Sequence, residues 1–353
     1  MTADSRPVLI TGGCGFIGCN LADRFCADGE NVIVLDNLAR GGVRANAQWL
    51  KARHGERVQI TAGDVRDPIL VIDAVRQARA VMHLAAQVAV TSSVENPLDD
   101  FEINARGTIN VLEAVRLHNA SAPVIFASTN KVYGRLVNDR EIERTGRRYA
   151  PCESALARGV NEAVPLDFYS PYGCSKGTAD QYVRDYARVY GLRTAVMRMS
   201  CIYGPRQFGT EDQGWIAHFL LAGLRGDKLT IYGDGRQVRD ALFISDAVDA
   251  WIAVLRNIEA SRGRVFNLGG GLSNSVSLLE LIDLIAGLTG HDVNYDFADW
   301  RPGDQPWYVT DINALCSTVG WRPKTSLPEG LVLLQDWLQS CIHQSSGSQE
   351  AFA

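Results

Sequence analysis

An α/β fold, with a doubly wound parallel sheet and a smaller mixed α/β region toward the C-terminus, is predicted by three observations. Short β-branched runs alternate with helical patterns over most of the chain. A glycine-spaced turn follows the first of these runs at once. From residue 203 onward the alternation loosens and Gly, Pro and aromatic residues become frequent. Alternation of this kind means strands joined by crossover helices, the arrangement of a parallel sheet covered on both faces.

The elements follow in order. Val8-Leu9-Ile10 is a short apolar strand, and a helical pattern covers 16–28. Residues 31–35, 58–60 and 81–84 are the next strands, and 111–115 belongs to a long helix. Residues 124–127 return as a strand, 194–198 as another, and 264–269 as one more of the same sheet. Tyr203, Gly204, Pro205, Phe208 and Trp215 mark a segment expected to be mostly loop, as suits a binding region hung on a rigid sheet. The last helix is read over 328–341, and 344–353, rich in Ser, Gly and Gln, as a disordered tail.

Composition bounds the function. The 353 residues are 46% apolar and 21% charged, with a net charge of −5 and no Lys/Arg block, which disfavours nucleic acid as a partner. No apolar run reaches the ~20 residues that span a bilayer. The polar start, Met1-Thr-Ala-Asp-Ser-Arg-Pro7, lacks a signal-peptide core, so a cytoplasmic protein is expected. The eight cysteines (14, 19, 26, 152, 174, 201, 316 and 341) form no Cys-x-x-Cys pair and no Cys/His cluster, so no metal site is predicted. They are read as buried free thiols. Cys14, Cys174 and Cys201 fall inside motifs and are expected near a ligand, though not as nucleophiles.

The glycine-spaced turn is Thr11-Gly-Gly-Cys-Gly-Phe-Ile-Gly18. Gly12 permits a tight turn, Gly15 lets the backbone approach a pyrophosphate, and Gly18 lets helix pack on sheet. The helix opened by Phe16 and Ile17 then turns its unpaired N–H groups toward phosphates. Asp36, 18 residues beyond Gly18, ends the second strand, where an acid holds an adenosine ribose and repels a 2′-phosphate. NAD is therefore favoured over NADP. Asn37 stands beside Asp36. Asp64-Val65 ends the third strand, where an Asp meets the adenine amino group. Leu84-Ala85-Ala86-Gln87 ends the fourth, where small residues allow close approach of a cofactor. The predicted division is a Rossmann-type NAD domain over 1–202 and 240–269, and a substrate domain over 203–239 and 270–343.

Tyr172 and Lys176 lie one helical turn apart and share a helix face. A nearby cation favours phenolate, so a phenol that ordinarily titrates near ~10 becomes a base at neutral pH. The Thr129 hydroxyl can bond the same substrate oxygen.

The glycine spacing, Ser128-Thr129 before Val132-Tyr133-Gly134, and Tyr172-x-x-x-Lys176 together resemble the extended short-chain dehydrogenase/reductase family, over residues 7–340. The resemblance implies tightly held NAD, a nucleotide-diphosphate sugar as substrate, and Thr129, Tyr172 and Lys176 as the catalytic set. It also places Asn104 and Ser128 in the cofactor site, with Lys176 on the cofactor ribose. Within this family, 4,6-dehydratases carry an Asp-Glu pair after the Thr, and sugar-acid decarboxylases a Glu in the same stretch. Asn130 and Lys131 stand there instead, which disfavours both eliminations. 4-Epimerases usually have an Asn where Cys201 stands.

What remains is similar to the CDP-paratose (CDP-tyvelose) 2-epimerase group. The similarity is carried by Asp100-Phe-Glu-Ile-Asn104, Ser128-Thr-Asn-Lys-Val-Tyr-Gly134, Tyr203-Gly-Pro-Arg-Gln-Phe208, Asp212-Gln-Gly-Trp215, Gly235-Arg-Gln-Val-Arg-Asp240 and Arg301-Pro-Gly-Asp-Gln305. Residues 140–160 and Pro306-Trp307 depart from it. The implied reaction oxidises a CDP-hexose transiently at C2 and returns hydride to the opposite face. The same triad serves C4 equally, so a UDP-hexose or UDP-uronate 4-epimerase is the alternative. A non-catalytic NAD sensor is a third reading, against which the intact Thr129, Tyr172 and Lys176 argue.

Arg239 and Arg301 stand where the family holds the diphosphate, and Asp304 lies in the same stretch as Arg301; an ordinary surface arginine is the plain alternative. Gln87, Ser93, Asn130, Gln207 and Gln213 can bond sugar hydroxyls, with Cys201 beside them. Trp215 and Phe208 either stack on the base or pack in the core, and His83 is read as a packed histidine. By family analogy, helices over 97–118 and 173–190, with Val111, Ala114, Tyr182 and Tyr186 outward, would join a homodimer or tetramer.

Overall fold

The computed structural model describes residues 5–137, 141–152, 156–301 and 303–345. Seven runs rich in Val, Ile and Leu form one parallel sheet: β1 (Val8–Thr11), β2 (Val32–Asp36), β3 (Val58–Ala62), β4 (Ala80–His83), β5 (Val124–Thr129), β6 (Thr194–Met199) and β7 (Arg264–Leu268). Their spatial order is β7-β6-β5-β4-β1-β2-β3. Strand order therefore reverses between β1 and β4, and the carboxyl ends of these strands open a crevice there.

Alternation sets the two faces. Ile10, Val34, Met82 and Ile125 join one apolar cluster, and Leu9, Leu35, Val81 and Phe126 join the other. Helix α1 (Phe16–Ala27) covers the first face through Leu21 and Phe25. Helices α2 (Gly107–His118) and α3 (Pro171–Tyr190) cover the second through Val111, Leu112, Ala179 and Val183. The sheet is thus buried on both sides, which is why its strands read as nearly continuous apolar runs.

A smaller four-stranded sheet is centred on Val238–Phe243. It pairs antiparallel with Ser275–Ser277, and parallel with Trp307–Tyr308 and Cys201–Tyr203. Leu229–Tyr232 pairs with Tyr295–Ala298. A hairpin, Ile142–Thr145 with Arg148–Pro151, occupies much of the segment 140–160. Residues 140 and 153–155 of that segment lie outside the described residues. The hairpin is fastened to the smaller sheet by Tyr149 Oη donating to Asp234 at 2.7 Å and Arg148 to Ser275 at 2.7 Å.

Several expectations are corrected. The segment after 203 is more regular than predicted, with helices Trp215–Arg225 and Ile244–Arg256. Its glycines bound elements more than they make loops: Gly214 and Gly226 flank the first of these helices. The helix expected over 97–118 runs continuously through Pro97–Phe101, a π-helical turn at Glu102–Arg106, and α2. Val111 and Ala114 do not face outward: they pack beneath the sheet, because that stripe is the apolar face of α2. Tyr186 is also largely buried and donates to Glu113 at 2.7 Å, whereas Tyr182 is exposed. Of the tail predicted over 344–353, the backbone of 344 and 345 continues the helix Leu327–Ser345, and 346–353 lie outside the described residues. Among the described residues no helix is long and apolar enough to cross a membrane, and no cluster of His, Cys, Asp or Glu could hold a metal ion.

Candidate active site

Both ends of the crevice begin in backbone geometry. Gly12 adopts φ +69°, and a Cβ there would stand 2.7 Å from the Ala85 amide nitrogen. A Cβ on Gly18 would meet the Gly12 carbonyl oxygen at 2.4 Å. Only glycine lets β1, α1 and the end of β4 approach this closely. No side chain caps α1, and its first residues, Phe16 and Ile17, line the crevice. Asp36 is fixed by two main-chain donors, Cys14 N at 2.9 Å and Leu38 N at 2.8 Å. The Asp64 carboxylate accepts from Arg66 at 2.8 and 3.0 Å and from Asn37 at 3.3 Å; Arg66 holds its pKa down. Val65 packs against Gly107. Leu84 N and Ala85 N bond Thr11, so the fourth strand end is tied to the first.

Asn104 and Ser128 adjoin this surface and are both held by hydrogen bonds. Asn104 exchanges bonds with the Gln87 main chain at 2.9 and 3.1 Å, and donates to Asp100 and Ser175. Ser128 Oγ donates to Asp180 at 2.9 Å. Asp180 is gripped by Arg198 through two bonds of 2.8 and 2.9 Å, and Arg198 also donates to Tyr133 Oη at 3.0 Å. This buried network joins β5, β6 and α3 directly beneath Thr129. His83 bonds Thr11 and Thr108 and stays neutral, since burial pushes it down to about 3.

Thr129, Tyr172 and Lys176 come together at the end of β5. Thr129 and Tyr172 line a cavity of about 400 Å³, and the Thr129 hydroxyl donates to Asn130 Oδ1 at 3.3 Å. The Lys176 ammonium lies over the Phe126 ring at 4.2 Å. The expectation that Lys176 lowers the phenol is not what governs here. Burial pushes Tyr172 up to about 12, Asp100 adds to the rise, and Thr129 and Arg40 oppose it. Burial also brings Lys176 down to about 7, against the carboxylates of Asp100 and Asp180. Desolvation penalises both charged forms, and it outweighs the attractions a sequence suggests.

The cavity runs from this pair toward the smaller sheet. Phe16, Ile17, Ser128, Asn130, Cys201, Gln207, Gln213, Trp215, Arg239, Arg301 and Asp304 line it. Arg239 donates to Asp304 at 2.7 Å. Arg301 pairs with Glu211 and Asp212, each at 3.4 Å, and lies 3.7 Å over the Tyr232 ring. Asn130 donates to Gln305 at 3.3 Å, and Gln213 to the Val88 carbonyl at 2.6 Å. Trp215 donates to Cys201 Sγ at 3.3 Å. Gln207 leaves its Oε1 buried without a partner among the described residues.

Three predicted residues stand elsewhere. Ser93 turns to the Val90 carbonyl at 2.6 Å and is not in the lining. Gln87 bonds Ala89 O at 2.8 Å. Phe208 packs beside Gly42 and Trp337, which selects core packing for it. Of the motif cysteines only Cys201 reaches the cavity; Cys14 is buried as expected, but Cys174, like Cys152, faces solvent, which corrects the reading of the thiols as buried. Lys131 is the lining residue that sequence reasoning undervalues. In the sequence it registers only as the absence of an acid, yet its ammonium donates to Gly303 O at 3.0 Å and sits 3.8 Å from Asp304. Glu211 and Tyr232 also line the cavity, and neither falls in a recognisable pattern.

The uncapped α1 start, the Gly12 cradle and the fixed Asp36 carboxylate fit a dinucleotide: anion at the helix, ribose hydroxyls at the acid. Comparison with known proteins agrees. The model of the NAD dependent epimerase/dehydratase family matches residues 8–269. The chain is 42% identical over 340 residues to the CDP-paratose 2-epimerase of Salmonella typhi, covering 94% of this chain and 99% of that protein. It is 32% identical to the UDP-glucose 4-epimerase of Mycolicibacterium smegmatis, covering 92% and 95%. Among solved structures it is similar to the Thermus thermophilus UDP-glucose 4-epimerase in complex with NAD, at 33% identity and a TM-score of 0.79, covering 94% and 99%. The Thermotoga maritima UDP-glucose 4-epimerase with UDP-glucose is 29% identical with a TM-score of 0.81, covering 95% and 99%. The chain belongs to the NAD dependent epimerase/dehydratase family, and its cofactor is NAD.

Proposed function

We propose that the protein is a nucleotide-sugar epimerase that inverts C2 of a CDP-hexose of the CDP-paratose/CDP-tyvelose type. The observation that carries this reading is the pair following Thr129. Asn130 and Lys131 both line the cavity, so the place next to the catalytic hydroxyl holds an amide and an ammonium in place of an acid. An oxidised sugar held there meets no carboxyl that could expel water or carbon dioxide beside Thr129, and its remaining course is to take hydride back. The similarity to the Salmonella typhi 2-epimerase over nearly the whole of both chains supports C2 as the carbon.

The chain's own residues divide the work. Tyr172 removes the proton from the reacting hydroxyl and returns it after the sugar has turned over. Thr129 bonds the same oxygen and fixes it within reach. Lys176 supplies the positive charge that a phenolate needs in a dry site. Bound NAD, held at the α1 start and Asp36, supplies the hydride acceptor and donor. Arg239, Arg301 and Lys131 hold the diphosphate and sugar, exchanging their present carboxylate and carbonyl partners for the substrate.

The test incubates the NAD-loaded enzyme with CDP-, UDP-, GDP- and dTDP-hexoses in deuterated water and reads products by NMR. Inversion at C2 of a CDP-hexose, without solvent deuterium at that carbon, is expected. Inversion at C4 replaces the reading with a 4-epimerase. Deuterium at the inverted carbon contradicts internal hydride return.

A further inference from the structure

A second cavity, of about 530 Å³, opens beside β7, the edge strand of the seven-stranded sheet, and shares no lining residue with the first. Its charged lining is Arg184 on α3, Arg198 on β6, Arg264 on β7, and Glu162. Two of these are spent within the fold. Arg198 grips both oxygens of Asp180, and Glu162 accepts from Asn267 N at 2.7 Å. The remaining two arginines meet no carboxylate among the described residues. Arg184 donates to a neutral amide, Gln181 Oε1, at 3.0 Å, and its Nε is buried without a partner among the described residues. Arg264 is exposed and lies 5.1 Å from the centre of the Phe266 ring. Arg188, one helical turn beyond Arg184, adds like charge to the same side of α3. A buried donor on a charged group is costly to leave unmet, and a ligand that accepts from it recovers that cost.

We propose that this cavity is a second ligand site, separate from the reaction centre, that binds a small phosphate monoester with Arg184 and Arg264 on its phosphate. Two unpaired guanidinium groups match the charge of a phosphate monoester, and their planar donors suit its oxygens. Arg184 is already held in place: Gln181, which it bonds, donates in turn to Asp180 at 2.8 Å. The edge strand supplies a further donor. Leu268 O accepts from Ser200 on the β6 side of β7, whereas Asn267 N donates to Glu162 on the open side. Peptide groups alternate along a strand, so Val265, which also lines the cavity, turns its N–H to the open side as well. Val164, Pro165 and Leu166 form an apolar wall, and the volume is more than a bare phosphate fills. The ligand therefore carries an apolar or neutral body behind its charged head.

The test titrates phenyl phosphate, a phosphate on an apolar body, against the NAD-loaded protein and follows line broadening by phosphorus NMR. No turnover is needed, so the result is independent of which sugar nucleotide the enzyme converts. Wild type should show saturable binding; its absence overturns the proposal. Arg184→Met and Arg264→Met should each raise the Kd roughly tenfold or more, since each removes a charge-assisted bond to the phosphate. Arg264 is exposed, so its variant keeps the test decisive should Arg184→Met not fold. The first cavity has arginines of its own, and Arg239→Met controls for them: it should leave this binding in place. Affinity unchanged in both Arg184→Met and Arg264→Met, or lost in Arg239→Met alone, overturns the second site. Benzyl alcohol, a similar body without charge, should not compete at the concentration where phenyl phosphate saturates. Displacement by it at equal concentration would mean that the apolar wall alone binds, and would overturn the role of the two arginines.

Discussion

The cofactor half and the substrate half of the crevice hold their polar groups by different means. On the cofactor side, Asp36 is fixed by main-chain N–H groups and Ala85 N by Thr11, and the α1 start stays open. On the substrate side, Arg239, Arg301, Lys131 and Asn130 bond Asp304, Glu211, Gly303 O and Gln305. Those bonds occupy the groups a diphosphate sugar would take. On the proposed reading one half is preorganised and the other exchanges partners, so binding energy is gained on one side and partly returned on the other.

Four changes break or sharpen that contrast. The largest effect belongs to Tyr172→Phe. Losing the proton-transferring group should lower turnover by a factor on the order of 10²–10⁴, with NAD content unchanged by absorbance of the purified protein. A matching loss of NAD would place Tyr172 in cofactor retention instead.

The next concerns the rigid half. His83 is pushed down to about 3 in the fold, against an ordinary value of 6.5. The unfolded chain therefore binds the extra proton between these values, and stability falls as pH drops through that window. The midpoint of thermal unfolding should fall less steeply from pH 6.5 to pH 3 in His83→Gln than in wild type. Equal slopes would mean that His83 is not buried neutral.

In the exchanging half, Arg239→Met removes a charge-assisted bond to substrate, worth about 1.5–3 kcal/mol. Steady-state kinetics should give a KM raised roughly tenfold to a hundredfold, with kcat little changed. A fall in kcat at constant KM would move Arg239 from holding the substrate to assisting the reaction.

Ser93→Ala is the smallest. Its hydroxyl bonds Val90 O away from the cavity, so KM should stay at the wild-type value and stability should drop by about 1 kcal/mol. A raised KM would return Ser93 to the substrate set, where sequence reasoning puts it.

The two halves also differ in how far they can be read from sequence. Gly12, Gly15, Gly18, Asp36 and Asp64 follow strand ends at short range, so once the strands are recognised their positions on the crevice follow. The substrate side draws on 130–131, 201–215, 230–239 and 301–304, and nothing local says which of these side chains turn inward. Hence Lys131 is passed over in the sequence, while Phe208 stays open between base and core. Val111 and Ala114 are misassigned because one helix stripe cannot be told from another until the sheet it covers is known.

By itself the sequence determined the parallel sheet and the dinucleotide end of the crevice, because periodicity and glycine spacing are properties of neighbouring residues; the Thr129, Tyr172 and Lys176 set came from the family resemblance and is a proposal. Tertiary structure alone decided the electrostatics. Burial lifts Tyr172 and lowers Lys176 in spite of their helical-turn spacing. Desolvation depends on everything packed around a group, and chain order carries no record of it.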